Sequence, residues 1–272
     1  MNNIWAKPND LFAILRCTNK KYAKRLVKLG SIKFNTPKSW VEEEKEKGKG
    51  RGDILEGVFA ACNMLDVEGI ISYSQQYNDV YGEIIDGLTY FRRKRTMDLP
   101  CYCFFLLRQG LFELPSQEGV QKLSAEISGR YFRDFADNLK EEEIADLEED
   151  KKPAIVLIHD IDEFIHRVIQ KLISMGVKQS EIMLELIEYE NKKVPFYCTA
   201  NSPKELKLKD NSFSYQEEGR IIVNTDNHKI KEYLNNNPIQ IGPLNDIAQM
   251  EEVYLYEGAI VEMTADVYKL QE

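Results

Sequence analysis

The residues best suited to chemistry lie where a polar segment runs into an apolar one. In FSYQEEGRIIV (213–223), Glu217, Glu218 and Arg220 stand at the start of an apolar strand pattern. Charged groups held between a loop and a rigid sheet favour a binding or catalytic site. The plainer interpretation is an ion pair between Glu217 and Arg220, worth about 0–1 kcal/mol if it is exposed.

Two other local features deserve the same comparison. Arg16 lies at the end of the apolar run LFAILRC, and Trp40 ends the segment TPKSW (36–40). An arginine beside a strand is often a surface ion-pair partner, and a tryptophan is often a core anchor. Each residue is therefore a candidate for a site and also a candidate for a purely structural role.

A divalent-metal site is a further chemical alternative. Asp53 and Glu56 of GDILEG could join Glu217 or Glu218 in a carboxylate cluster of the kind that metal-dependent nucleases need. Acids beside glycine also form turns. The chain has no GxxxxGK[ST], GxGxxG, GxSxG, HExxH or CxxC pattern. The preferred interpretation has no metal.

The composition limits which binding partners and which cellular compartment we expect. The 272 residues carry a net charge of −9, which repels nucleic-acid backbones, so nucleic-acid binding would need a local patch such as residues 92–95. No apolar run approaches the ~20 residues that span a bilayer, and no leader pattern opens the sequence. The five cysteines are scattered and odd in number, which indicates free thiols. We expect a soluble, acidic, cytoplasmic protein without membrane association.

The first structural unit that the sequence predicts is a strand–helix–strand unit. The run LFAILRC predicts a strand, and Thr18 or Asn19 offers an N-cap for a helix around 19–29. Gly30 is placed to end that helix in a left-handed conformation. Ile32 and Phe34 of the following segment alternate with polar residues, as in a half-buried strand.

Other segments complete an α+β domain. A second main helix is predicted around 160–175, with Asp160 as its cap. PCYCFFLLRQ (100–109) is apolar on both faces and suits a central strand. Residues 54–62 read as a strand, and residues 69–74 with 79–85 read as a hairpin.

The predicted organisation is one domain over residues 1–272, with a mixed or antiparallel sheet and two main helices. A charged, glycine-rich stretch near 42–53 is predicted to be a loop. An acidic insertion is predicted near 134–152, as a helix end and an exposed loop.

Four segments in order carry a resemblance to a known group of proteins. They are KLGSIKFNTPKSW, GRGDILEG, PCYCFF and FSYQEEGRIIV. Together they resemble a broad family of bacterial proteins often encoded on mobile elements and near phage-defence genes. That family shares a gD..EG segment, a yCF strand and a Q-x-E-x-R strand start. The resemblance implies a defence-associated recognition or effector protein that acts through a protein partner.

The order of elements also resembles ADP-ribosyltransferase folds more distantly. That analogy implies NAD as cofactor, with Arg16 on the ribose or pyrophosphate and Trp40 or Tyr215 stacked on the nicotinamide. Glu217 or Glu218 would be the catalytic carboxylate beside the anomeric carbon, with Arg220 as a further substrate-binding cation. The chain lacks an H-G-[ST] element and a clear Ser-Thr-Ser element. Three functions stay open: an interaction protein, an ADP-ribosyltransferase-like enzyme and a metal-dependent nuclease.

Overall fold

A computed structural model describes residues 11–47, 52–63, 67–112, 119–136, 139–198, 203–252 and 259–267. The helices are α1 (Lys20–Leu29), α2 (Pro37–Lys47), α3 (Val67–Gln76), α4 (Lys94–Met97), α5 (Gly129–Phe135), α6 (Glu141–Ala145), α7 (Ile161–Ser174) and α8 (His228–Asn236). The strands are β1 (Leu11–Asn19), β2 (Ser31–Ile32), β3 (Val58–Cys62), β4 (Val80–Ile85), β5 (Leu88–Arg93), β6 (Cys101–Arg108), β7 (Gly119–Ile127), β8 (Pro153–Ile158), β9 (Ile182–Leu186), β10 (Glu188–Glu190), β11 (Phe196–Tyr197), β12 (Leu208–Asp210), β13 (Glu218–Val223), β14 (Ile239–Gln240), β15 (Ala248–Glu252) and β16 (Ala259–Val267). The predicted α+β class, with main helices near 19–29 and 160–175, is confirmed.

The largest sheet has the strand order β15-β8-β1-β6-β13-β9, and each neighbouring pair in it is antiparallel. The strand predicted to be central, β6, lies in its interior between β1 and β13. One face packs on α1, α7 and α8 through apolar residues such as Leu26, Phe164 and Leu234. The other face packs on α5 through Tyr131 and Phe132. The sheet is thus buried on both sides, as the apolar sequence of β6 predicts.

The opening unit forms for the local reasons visible in the sequence. The Asn19 side chain accepts a hydrogen bond from the Tyr22 backbone N–H at 3.1 Å and caps α1. Gly30 ends α1 with φ of 59°, and a side chain there would meet the Gly242 carbonyl. The second main helix, α7, begins in the same way, because Asp160 accepts from the Glu163 N–H at 2.9 Å.

The large sheet divides at one end between β1 and β6. These strands pair only as far as Leu15 opposite Phe105. Beyond that point β1 continues along β8 until Asn19 faces Pro153, whereas residues 101–104 of β6 pair with β13. On the side away from β8, residues 16–19 therefore border a gap instead of a neighbouring strand.

The segment after β2 closes the far end of that gap. Asn35 donates its backbone N–H to the Cys101 carbonyl at 2.8 Å and accepts the Cys101 N–H at 2.7 Å. This bridge holds the segment that leads into α2 against the start of β6.

Two smaller sheets stand beside the gap. One has the order β11-β3-β5-β4, and the turn formed by residues 54–57 leads into its strand β3. Arg92 of β5 is fully buried and donates from Nε to the Glu56 carbonyl at 3.0 Å, which fixes the turn. The other sheet is the parallel pair β10-β12, which carries Lys209.

The predicted loop near 42–53 is wrong over residues 42–47, which belong to α2. Thr36 accepts the Ser39 N–H at 3.1 Å, and Pro37 occupies the first helical position, a combination that starts helices. The Glu and Lys residues that follow are good helix formers, so the charged stretch continues the helix instead of ending it. The glycine-rich part of the prediction at 48–51 lies outside the described residues.

The predicted hairpin of 69–74 with 79–85 is also wrong. Residues 67–76 form α3, and β4 pairs instead with β5 through the turn at Asp86 and Gly87. Those two residues have φ of 47° and 84°, as two-residue hairpin turns require. A short apolar run does not distinguish a helix from a strand by itself, which explains the error.

Two further predictions need adjustment. The strand expected over 54–62 begins only at Val58, because residues 54–57 form a turn. The acidic region near 134–152 contains α6 and a 3₁₀ segment at Glu149–Lys151, and most of its described residues are exposed. Asp134 near the end of α5 and Ala136 just after it are exceptions, since both are buried.

Two expectations about the whole chain can be compared with the structure. All five cysteines lie among the described residues, and none of them is part of a disulfide, in agreement with the prediction. Within the described ranges, no helix has the length and apolar character needed to cross a bilayer.

Candidate functional site

A cavity of about 330 Å³ lies in the gap between β1 and β6. Ligand pockets for small molecules are typically about 300–1,000 Å³, so this one has room for part or all of a small ligand. All four segments that carry the family resemblance contribute to its wall, through Lys33, Asn35, Trp40, Asp53, Glu56, Cys103, Phe104, Gln216, Glu218 and Arg220. Segments far apart in the chain thus meet at one place.

Arg220 of β13 organises one wall of the cavity. It is fully buried and donates from Nη1 and Nη2 to the two carboxylate oxygens of Glu56 at 2.7 and 2.9 Å. It also donates from Nε to Glu218 at 2.5 Å and from Nη1 to the Leu206 carbonyl at 2.9 Å. These contacts use most of its N–H donors, so the protein itself holds this cation.

Glu218 is held by a second cation. Lys209 of β12 donates to Glu218 at 2.8 Å and to the Gln216 side chain at 2.7 Å. Burial favours the neutral form of Glu218, but the charges of Arg220 and Lys209 outweigh it and hold the Glu218 pKa well below its usual range. Glu218 is therefore a carboxylate that stays ionised inside a cavity.

The turn before β3 supplies two more acids, and their surroundings differ. Glu56 accepts hydrogen bonds from Nη1 and Nη2 of Arg220. Burial favours the neutral form of Glu56, but the Arg220 charge lowers the Glu56 pKa overall. Asp53 accepts the Leu55 N–H on Oδ1 at 2.8 Å, while its Oδ2 accepts no hydrogen bond from any described residue. Burial, and then the charge of Glu56, raise the Asp53 pKa. Lys192, which donates to the Leu55 carbonyl at 3.0 Å, opposes that rise only in part.

Arg16 lines the opposite wall on β1. Its Nη1 donates to the Cys103 carbonyl at 2.9 Å, so the side chain reaches across the gap between the two strands. Its guanidinium lies 5.5 Å from the ring centre of Tyr102 and 5.7 Å from that of Phe135. Within the part of the chain that the structure describes, no carboxylate lies within 4.0 Å of it. The expected surface ion pair of Arg16 is therefore not found.

Trp40 of α2 combines the two roles that the sequence left open. Its ring packs against buried residues such as Leu99 and Ile222, and it also lines the cavity. The ring centre lies 5.0 Å from the Arg220 guanidinium, a distance that favours a cation–π contact.

The structure separates Glu217 and Tyr215 from the other candidates. Neither is among the residues that line the cavity. Glu217 has φ of 39° and pairs with Arg108, while Tyr215 donates its hydroxyl to Asp134 and stacks 4.2 Å from the Arg130 guanidinium. The predicted pair between Glu217 and Arg220 is also absent, because Arg220 bonds Glu218 and Glu56 instead.

Several side chains of the site were not singled out from the sequence. They are Lys209, Lys192 and Gln216, and all three are buried. One available signal was alternation in the strand that follows, which places Glu218 on the same face as Arg220. That rule would have selected Glu218 over Glu217.

The geometry of these acids does not favour the metal-dependent nuclease. Glu56 directs both oxygens to Arg220, and Glu218 is shared between Arg220 and Lys209. Across the described ranges, no group of three or more His, Cys, Asp or Glu side chains is arranged to hold a metal ion. Cations already occupy the positions next to these acids.

The chain matches no protein-family model, no curated protein and no solved structure. The chemistry of the cavity is therefore the basis for a functional proposal.

That chemistry has three elements: a cation, Arg16, that has no carboxylate partner among the described residues, an aromatic wall and an ionised carboxylate. A thiol nucleophile is disfavoured, because burial raises the pKa of Cys103 well above its usual value and Glu218 adds to the effect. The arrangement suits binding of an anionic, partly aromatic molecule and stabilisation of positive charge on it.

Proposed function

We propose that this protein is an enzyme that binds NAD, or a close relative of NAD. The enzyme breaks the N-glycosidic bond of that molecule, by hydrolysis or by transfer of the ribosyl part to an acceptor. The observation that carries the proposal is the presence of Arg16, Trp40 and Glu218 on the walls of one cavity. Such a site fits an enclosed small molecule better than the surface of a protein partner.

Arg16 supports an anionic substrate. Its guanidinium lines the cavity and has no carboxylate partner in the part of the chain that the structure describes, so it is available to the phosphate oxygens of a dinucleotide. The Trp40 ring offers a flat apolar surface for the nicotinamide.

Glu218 supports the reaction type. When the C1′–N bond breaks, its electron pair moves to the nicotinamide nitrogen, and positive charge develops on the ribose. A carboxylate that Arg220 and Lys209 keep ionised is ready to stabilise that charge without reorganisation. Carboxylate oxygens have more than one lone pair, so Glu218 can also accept a ribose hydroxyl proton in a hydrogen bond.

Turnover of NAD by purified wild type and two matched variants tests the proposal. Glu218→Gln keeps the shape but removes the charge, and we expect it to lower nicotinamide release by about 10²–10³-fold. Glu217→Gln makes the same chemical change one residue earlier, outside the cavity, and should leave turnover intact. Circular dichroism would show whether each variant keeps the fold.

Absence of both NAD binding and nicotinamide release in the wild type, by calorimetry and chromatography, would reject the enzyme. A protein that acts through a partner would then be the better proposal. The resemblance to defence-associated proteins fits an effector that consumes NAD. We therefore expect expression of the wild type to slow bacterial growth, and Glu218→Gln to relieve that effect.

A further inference from the structure

We propose that Asp53 is a second catalytic carboxylate, the general base that removes the proton of the acceptor that attacks the ribose. This inference rests on the function proposed above and adds the acceptor step to it. The acceptor belongs to the class of hydroxyl compounds, with water as the simplest member.

The first support is the geometry of Asp53. The residue lines the cavity and is 2% exposed, so any partner of its free oxygen must come from within the cavity or the protein. Oδ1 is fixed by the Leu55 N–H, which orients the carboxyl, whereas Oδ2 accepts no hydrogen bond from a described residue. Buried polar atoms without a partner are rare in folded proteins, and each calls for an explanation.

The second support is the contrast with its neighbours. Glu56 and Glu218 each have a cation within 2.9 Å, but Asp53 has no ion pair among the described residues. A carboxylate that is already paired is a poor base, because its partner holds the negative charge in place. Of the three acids in this comparison, Asp53 is the one that can gain a proton without breaking an ion pair among the described residues.

The surroundings of Asp53 raise its pKa, which is the direction that a general base requires. Three charged groups face it. They are Glu56 in the same turn, Lys192 in the loop after β10 and Lys209 on β12. Burial and the Glu56 charge raise the Asp53 pKa, and the two lysines offset this only in part. Glu218 is shifted the other way. Two acids whose surroundings separate their pKa values in this manner have the usual signature of a divided catalytic role.

The step balances without any further reagent. The C1′–N bond breaks with its electron pair going to the nicotinamide nitrogen, which becomes neutral. An oxygen lone pair of the acceptor forms the new bond to C1′, and the acceptor O–H proton moves to Asp53 Oδ2. Glu218 remains ionised throughout and faces the positive charge on the ribose.

The test compares NAD turnover by wild type, Asp53→Asn and a matched control over a range of pH. Asp134→Asn is the control, because Asp134 is also buried with a raised pKa but does not line the cavity. We expect Asp53→Asn to lower kcat with water by about 10²–10⁴-fold, the usual contribution of a general base. The wild-type rate should fall as pH decreases through the Asp53 pKa, and that limb should be missing from the variant.

Azide provides the second readout, because it attacks carbon without a proton to lose. Azide should restore nicotinamide release in Asp53→Asn, with a ribosyl azide as product, and should not restore it in Glu218→Gln. Calorimetry with NAD shows whether Asp53→Asn still binds.

The outcomes separate this inference from the function on which it rests. A wild type that neither binds nor cleaves NAD overturns both. An active wild type whose Asp53→Asn variant keeps its rate and its acid limb overturns only the role of Asp53. An inactive variant that binds NAD but gains nothing from azide also overturns that role, and assigns Asp53 to positioning.

Discussion

The two walls of the cavity hold their charges in opposite ways. On the β1 wall, Arg16 is a single cation whose described contacts are a carbonyl and two aromatic rings. On the other wall, Arg220 and Lys209 are joined to Glu56 and Glu218 in one continuous set of ion pairs. Among the described residues, the first wall has a cation without a counter-charge, and the second has cations and carboxylates that pair with one another.

This difference indicates different roles for the cations of the two walls: Arg220 and Lys209 hold the carboxylates in place, and Arg16 is available to a ligand. Buried ions that are fully paired stabilise a particular arrangement, and removing one partner leaves the other unpaired at high cost. A partly buried cation such as Arg16, which has no carboxylate partner among the described residues, contributes little through ion pairing and is available to a ligand. The two walls should therefore respond differently to substitution.

The largest expected effect is on the paired wall. Arg220→Met removes the cation from Glu56 and Glu218 together, so we expect the free energy of unfolding to fall by about 3–5 kcal/mol. Thermal and urea unfolding would measure the loss. Arg95→Met is the matched control, because Arg95 pairs with an Asp226 that is 82% exposed, and such pairs contribute about 0–1 kcal/mol. Equal stability of the two variants would mean that the buried network does not hold the second wall.

The next effect is on the unpaired wall, and it concerns binding instead of stability. Arg16→Gln should weaken NAD binding by about 10–100-fold, the range for a lost hydrogen bond to a charged group. The variant loses the bond to the Cys103 carbonyl and the contacts with the Tyr102 and Phe135 rings but leaves no described carboxylate unpaired, so stability should fall by less than the ~3–5 kcal/mol expected for Arg220→Met. Calorimetry and thermal unfolding give the two values. The exposed Arg25→Gln on α1 is the control, and a large loss of stability in Arg16→Gln would place Arg16 with the structural charges.

Local signals in the sequence were sufficient for much of the fold. The cap at Asn19, the closing Gly30 and the apolar run of β6 each act over a few residues, and each led to the correct element. The Thr36–Pro37 helix start and the Asp86–Gly87 turn were equally local, so α2 and the β4–β5 hairpin were also within reach of sequence reasoning.

The site was less accessible for a physical reason. Arg16, Trp40 and Glu218 stand out because a charged or large aromatic residue adjoins an apolar strand or a turn. Lys209 has no such signal, since its position in the cavity depends on the parallel pairing of β12 with β10. The division of the sheet after Leu15 is likewise a tertiary feature, and no local pattern marks it.

A smaller effect is expected at Asp53, and it should depend on pH. Because the folded-state pKa of this acid is raised, its contribution to stability is present at low pH and is lost as pH rises through that pKa. Asp53→Asn removes this dependence and leaves the Oδ1 acceptor for Leu55 in place. We expect the variant to gain stability relative to wild type as pH rises from acid to pH 8, because Asn has no buried charge to desolvate. Melting curves at several pH values should show the difference shrinking toward acid, and a constant difference would contradict the assignment.

The smallest effect is expected at Glu217, directly beside the most sensitive carboxylate. Its side chain pairs with an Arg108 that is 40% exposed, so Glu217→Gln should cost no more than about 1 kcal/mol. Glu217→Gly loses the same pair but relieves a positive φ of 39°, and should be at least as stable as the Gln variant. Thermal unfolding measures this order, and NAD turnover should match wild type in both. If Glu217→Gln abolished turnover while Glu218→Gln did not, the catalytic carboxylate would lie outside the cavity. The contrast between the two walls would then have no bearing on catalysis.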